Sequence, residues 1–193
     1  MNHSANIDTP IHSLLAQRWS PYSFDPTRAV TSDDLQALFE AARWTASAFN
    51  AQPWRYIVGV KARNPQLWEQ VLEVLVEGNQ GWAQHAPVLA LGLVQTDFEH
   101  NGKPNHWAIH DLGAASANLT LEASSRGLSV HQMAGIEPEK AILTFSLAES
   151  VKPVTALAIG YQGHNPDLNS AIANRDQKTR ERKATSEFLI HGQ

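Results

Sequence analysis

With 193 residues, 42% of them hydrophobic, the chain is the length of one domain with a sizeable core. Its net charge of -4, with Lys and Arg scattered rather than gathered in a stripe, argues against nucleic acid as a partner but allows an anionic small molecule at a local basic cluster. The lack of cysteine excludes disulfides, thiol nucleophiles and thiolate metal sites, so redox chemistry would need a borrowed cofactor.

The chain opens with polar residues, Met1 to Pro10, without an apolar signal core, and no run approaches the roughly 20 apolar residues of a membrane span. A soluble, cytoplasmic protein is therefore expected. Ile11 to Gln17 read as a short helix that Pro21 prevents from continuing, which puts Arg18-Trp19-Ser20 at a helix end. Thr31 or Ser32 can cap a second helix, whose apolar positions Leu35, Leu38, Phe39 and Ala42 fall at helical spacing. That helix delivers the chain to a polar turn, Ala46 to Gln52, which runs through Pro53 into a strand from Trp54 to Val60.

Pro65 opens a helix to about Glu77, with Leu67, Val71, Leu72 and Leu75 inward. Ala86 to Val94 is nearly continuous apolar sequence, as in a central strand buried on both faces with helical layers above and below. The longest helix is expected from about Asn105 to Arg126, ended by Gly127. It is rich in small residues, among them Gly113, Ala114, Ala115, Ser116 and Ala117, which let another helix approach closely, in the core or at a subunit interface. Leu128 to Met133 suggest a short strand, Pro138 to Leu147 a helix and Pro153 to Tyr161 a buried strand, followed by a tail that is polar from Pro166 until Phe188, Leu189 and Ile190. With no internal repeat or linker, one α+β domain over 1–193 is expected, helices surrounding a mixed sheet.

The polar turn would need hydrogen-bond partners if buried, and a flat heterocycle with amide edges would provide them. Arg18 and Ser20 lie two apart, so an extended backbone points both the same way, offering a guanidinium fork and a hydroxyl to a phosphate. Arg180 and Arg182 repeat that spacing near the other end, with Lys183 beside them. Together the segments suggest one ligand with an anionic tail and a polar ring.

In this order and spacing, Arg18-Trp19-Ser20, Asn50-Ala51-Gln52-Pro53-Trp54 and Arg180-Glu181-Arg182 resemble the FMN-dependent nitroreductase family, over roughly His12 to Ile190. The resemblance implies a three-layer sandwich with a mixed, mostly antiparallel sheet, and a homodimer holding FMN at the subunit interface. It implies that Arg18, Trp19 and Ser20 contact FMN, with Arg18, Ser20, Arg180 and Arg182 at its phosphate and ribityl groups. Tyr22 would stand at the pyrimidine end, where relatives often carry a basic residue. A cation there stabilises reduced flavin, so this chain should have a lower potential or draw charge from elsewhere.

By the same resemblance Ser47, Phe49, Asn50 and Gln52 approach the flavin from the second subunit, and Asn79, read as a loop residue, meets the ring edge. Gln132, Met133, Ala134 and Gly135 lie along the ring, with Gly135 free of a side chain so that its N–H can come near N5. NAD(P)H would give a hydride, leave, and be replaced by a nitroaromatic, quinone or related acceptor, with no protein nucleophile. Trp82, Phe49, His106 and Trp107 are candidates to line that pocket.

Other classes leave weaker traces. His106 and His110 are four apart on an expected helix, a spacing that suits a metal, but Trp107 stands where an HExxH glutamate would be. Neither a Gly-x-Ser-x-Gly elbow nor a strand-linked Gly-x-Gly-x-x-Gly is found, which disfavours a serine hydrolase and a Rossmann dinucleotide site. A flavin-binding protein with a flavin-modifying, dehalogenating or sensing role is the other reading that the family resemblance leaves open.

Overall fold

A computed structural model describes residues 4–163 and 170–190; Met1–His3 of the polar opening segment and Pro166, where the polar tail begins, lie outside them. Among the described residues one sheet forms the middle layer. Its strands are β1 (Trp54–Val60), β2 (Val88–Gln95), β3 (Ser129–Met133) and β4 (Val151–Gly160), in the order β1-β2-β4-β3. The sheet was expected to be mixed and mostly antiparallel; all of its named pairings are antiparallel.

The period of two along β2 divides the core. Leu89, Leu91 and Leu93 join a cluster with Trp68, Val71, Trp82 and Ala141, whereas Val88 and Ala90 join Leu35, Leu38, Ala115 and Leu119. Helices α3 (Pro65–Glu73), α4 (Glu77–Ala83) and α6 (Pro138–Phe145) therefore cover one face, and α2 (Ser32–Arg43) and α5 (Ala108–Ser125) cover the other. This is the expected three-layer α+β sandwich.

Local chemistry sets several boundaries. Thr31 Oγ1 accepts from the Asp34 amide at 3.0 Å and starts α2. Gly127, at φ +72°, lets the chain turn out of α5, which begins at Ala108 rather than at Asn105. The helix expected from Pro65 to Glu77 is broken: α3 stops at Glu73, and Leu75 instead bridges to Ile136. The residues beyond form α4, which the sequence pattern did not reveal. Pro153 was expected to open β4 but lies inside it, at the register shift beside Gly92 and Leu93, where an irregular pairing tolerates a residue without an N–H.

Candidate functional site

Helix α1 (Ser13–Gln17) stops at Arg18, whose φ of -58° and ψ of 127° are extended. The side chains of Arg18 and Ser20 therefore run together, and Arg18 Nη1 donates to Ser20 Oγ at 3.3 Å. Across from them comes the C-terminal basic segment, whose Arg180 Nη1 donates to the Ala16 carbonyl at 2.7 Å. Arg18, Trp19, Ser20, Arg175, Lys178, Thr179, Arg180, Glu181 and Arg182 line one cavity of about 260 Å³. Two segments from opposite ends of the sequence thus make a single basic pocket. Lys183 is exposed.

The electrostatics of this pocket favour an anion. Burial first, then the nearby Arg180 and Arg182, pull the Arg18 pKa below that of a free guanidinium. Burial and Arg182 do the same to Arg180. Like charges held together in this way are relieved by a bound phosphate or carboxylate.

A second cavity of about 260 Å³ shares Arg18 and Ser20 and continues past Leu15, Ala117, Thr120, Leu121 and Val130 to Gln132. Gln132 is fixed there: its Nε2 donates to the Ser116 carbonyl at 3.2 Å and to Thr120 Oγ1 at 3.0 Å. The two cavities give a charged end joined to a more apolar slot, a combination suited to an amphiphilic ligand with an anionic tail.

Tyr22 has partners that its sequence context did not suggest. Its ring meets Trp82 edge-on at 5.0 Å and His131 at 4.7 Å, while Arg175 Cζ lies 5.3 Å from the ring centre and Arg175 Nη1 donates to Tyr22 Oη at 3.4 Å. His131 Nδ1 pairs with the Pro21 carbonyl at 2.9 Å. Burial pulls the His131 pKa below its ordinary value, opposed by the Pro21 contact and by Asp176, with Arg18 adding to the lowering. Trp82 is thus core and aromatic support rather than an open pocket wall.

Met133, Ala134, Gly135 and Asn79 form the next group. Met133 turns its side chain into the core, at 4% exposure, while Ala134 is exposed. Asn79 lies in α4, not in a loop, and its Nδ2 donates to the Gly135 carbonyl at 3.0 Å. A Cβ on Gly135 would stand 2.5 Å from Asn79 Nδ2 and 2.8 Å from Val76 Cγ2. The glycine is therefore required by close packing against α4, a reason different from the expected approach to a ligand.

Ser47, Phe49, Asn50 and Gln52 are not part of the basic pocket. Ser47 lines a third cavity with Ala46, Ala48, Trp107, His110 and Asp111. In this chain the turn is not buried, as Phe49 is 84% exposed and Asn50 and Gln52 are exposed. It is strained nonetheless: Phe49 and Asn50 have φ 53° and Gln52 has φ 47°, in the region that residues other than glycine rarely enter. Side chains hold it in place: Ser47 Oγ accepts from the Gln52 amide at 3.0 Å, buried Asp111 accepts from the Ala48 amide at 3.0 Å, Gln52 Nε2 donates to the Asn50 carbonyl at 3.0 Å and Arg55 Nη1 donates to the Gln52 carbonyl at 2.9 Å.

The histidine pair does not form the expected helical face, because His106 precedes α5 and only His110 lies on it. His110 is exposed and pairs with Asp111 at 3.1 Å. Among the described residues no group of three or more His, Cys, Asp or Glu could hold a metal ion. No described helix is long and apolar enough to cross a membrane.

Sequence reasoning missed Arg175, Asp176 and His131. Arg175 and Asp176 stand shortly before the basic segment, the only hint they gave. Nothing in the sequence connects Asp176 with Tyr22, yet its carboxylate binds the Tyr22 and Ser23 amides.

Residues 15–161 match the sequence model of the Nitroreductase family. The chain is 25% identical to the major NAD(P)H-flavin oxidoreductase of Aliivibrio fischeri, over 84% of this chain and 92% of that protein. It is 39% identical over 103 residues to an uncharacterized 15.4 kDa protein in the ask 5' region of Mycolicibacterium smegmatis, covering 53% of this chain and 69% of the relative. Among solved structures, an oxidoreductase containing FMN superposes with a TM-score of 0.89 at 28% identity, covering 98% of this chain and 95% of its own.

Proposed function

Since the chain belongs to the nitroreductase family, we propose that it is an FMN-dependent oxidoreductase that passes electrons from NAD(P)H to a small-molecule acceptor such as a nitroaromatic or a quinone. The observation that carries this reading is the pocket in which Arg18, Ser20, Arg180 and Arg182 converge from both ends of the sequence. Its donors match a phosphate monoester: guanidinium forks and a hydroxyl around a space whose cations repel one another.

Bound FMN supplies hydride acceptance and donation, for which the described side chains offer no substitute. Arg18, Ser20, Arg180 and Arg182 hold the phosphate and ribityl end, with Trp19 as a wall. Gln132, locked onto Ser116 and Thr120, presents an amide beside the adjoining slot. Asn79 steadies the Ala134-Gly135 turn, and Met133 anchors that turn in the core. Arg175, over Tyr22, brings the positive charge that Tyr22 lacks.

Ser47, Phe49, Asn50 and Gln52 complete the site from a second copy of the chain. Support comes from the apolar surface around them: Trp44 is 75% exposed, Phe49 84%, Trp107 59% and Ile109 63%, next to the small, exposed Gly113 and Ala117 of α5. Pairing would cover these side chains and bring the strained turn to the neighbour's pocket. The cytoplasm, where NAD(P)H is available, is the compartment that suits this activity.

The test is the visible spectrum of the purified protein, with identification of any released chromophore, followed by NAD(P)H oxidation with a quinone or nitroaromatic. FMN in proportion to chains, with steady turnover, is the expected result. Bound FMN without turnover would favour a flavin-modifying or sensing role, and a colourless protein that also refuses added FMN would refute the reading.

A further inference from the structure

Asp176 is an acidic residue at the border of a cationic pocket, and its carboxylate faces backbone amides. One oxygen accepts from the Tyr22 amide at 2.8 Å and the other from the Ser23 amide at 2.9 Å. Pro21, just before them, is held on the opposite side by His131 through its carbonyl. A neutral amide in place of Asp176 has only one acceptor oxygen and cannot satisfy both N–H groups in this way. The adjacent Arg175 covers Tyr22 from the same segment.

The other anchor lies a short distance along the chain, where Arg180 binds the Ala16 carbonyl. Residues 176–180 therefore span the stretch 16–23, fastened at one end by a carboxylate on two amides and at the other by a guanidinium on a carbonyl. Arg18 and Ser20 lie between the two fastenings and share the pocket with Arg180 and Arg182. Three cations repel one another there, so the pocket does not assemble through their own attraction.

We propose that Asp176 is a positioning residue that assembles the anion pocket: by gripping the Tyr22 and Ser23 amides it sets the C-terminal segment so that Arg180 and Arg182 converge with Arg18 and Ser20. Asp176 does not touch the anion. It acts through the segment that carries Arg180 and Arg182, so its effect on binding shrinks when Arg180, the other fastening of that segment, is removed. This role rests on the FMN reading for the identity of the ligand, whereas the grip itself is a property of the chain alone.

The experiment is a double-mutant cycle on FMN affinity, with the wild-type protein, Asp176→Asn, Arg180→Ala and the double variant titrated after flavin removal. Asp176→Asn is expected to weaken FMN about tenfold or more, as the loss of charge-assisted hydrogen bonds implies. The double variant is expected to lose clearly less than the two single losses combined, because Asp176 and Arg180 fasten the same segment. Strictly additive losses, or an Asp176→Asn variant that binds like wild type, would overturn the proposal. Hydrogen exchange gives a readout free of ligand and of the variant's folding: the Tyr22 and Ser23 amides should be protected in the wild type, and fast exchange there would also overturn it. A wild-type protein that binds no FMN would refute the functional reading, and slow exchange at those amides would show the grip to be intact regardless.

Discussion

The Arg180 guanidinium donates to the Ala16 carbonyl oxygen at 2.7 Å, which ties the last basic segment to the turn that presents Arg18. The pocket is therefore a joint between chain ends, built outside the sheet. Arg18→Ala and Arg180→Ala are each expected to weaken FMN by about 10- to 100-fold, the equivalent of about 1.5–3 kcal/mol for a hydrogen bond to a charged group. Calorimetric titration checks the affinity, and an unchanged far-ultraviolet dichroism spectrum checks that the sheet survives.

Arg175 provides a charge where Tyr22 has none. A cation at the edge of the site stabilises the anionic reduced form of a flavin over the oxidised form. Arg175→Gln is expected to lower the reduction potential of bound FMN, and Tyr22→Arg to raise it. A redox titration against a reference dye measures both; unchanged potentials would remove Arg175 from this role.

Gly135 packs against α4 with no room for a methyl group. In Gly135→Ala the new Cβ would meet Asn79 Nδ2 at 2.5 Å and Val76 Cγ2 at 2.8 Å, forcing both to move. Overpacking of this kind costs about 1–3 kcal/mol. A lower denaturant midpoint is expected, with weaker flavin binding as the Asn79–Gly135 contact is lost.

His131 makes stability depend on pH on the acid side. Its folded pKa lies below the ordinary 6.5, chiefly through burial, so between that folded value and 6.5 the unfolded chain binds more protons. The contribution is present in full above about 6.5 and is lost as the pH falls through the folded value. His131→Asn, which keeps a donor for the Pro21 carbonyl, is expected to flatten this acid-side loss. Thermal melting as a function of pH, with and without the substitution, tests it.

The sandwich was legible because its signals are local and strong. The apolar run at Ala86 to Val94, the period of α2 and the glycine after α5 each reflect a requirement of one element. The basic pocket was legible in its parts, as Arg18, Ser20, Arg180 and Arg182 carry charge in recognisable spacing. What joins them was not. Asp176 acts on main-chain amides of Tyr22 and Ser23, groups that every residue but proline possesses, so no side-chain pattern marks the partner. The α3–α4 break was hidden for a similar reason: Leu75 looks like another inward helical residue, but tertiary pairing with Ile136 captured it. Asn79 changed from loop to helix with that break.

The central claim is that the convergent arginines recognise a flavin through its phosphate. The most direct measurement compares the affinities of FMN and riboflavin, which differ only in that group, for the flavin-free wild-type protein and for Arg180→Ala. FMN is predicted to bind wild type far more tightly than riboflavin, and Arg180→Ala to lose most of that preference while binding riboflavin as before. Equal affinities for the two flavins in the wild-type protein would contradict the account.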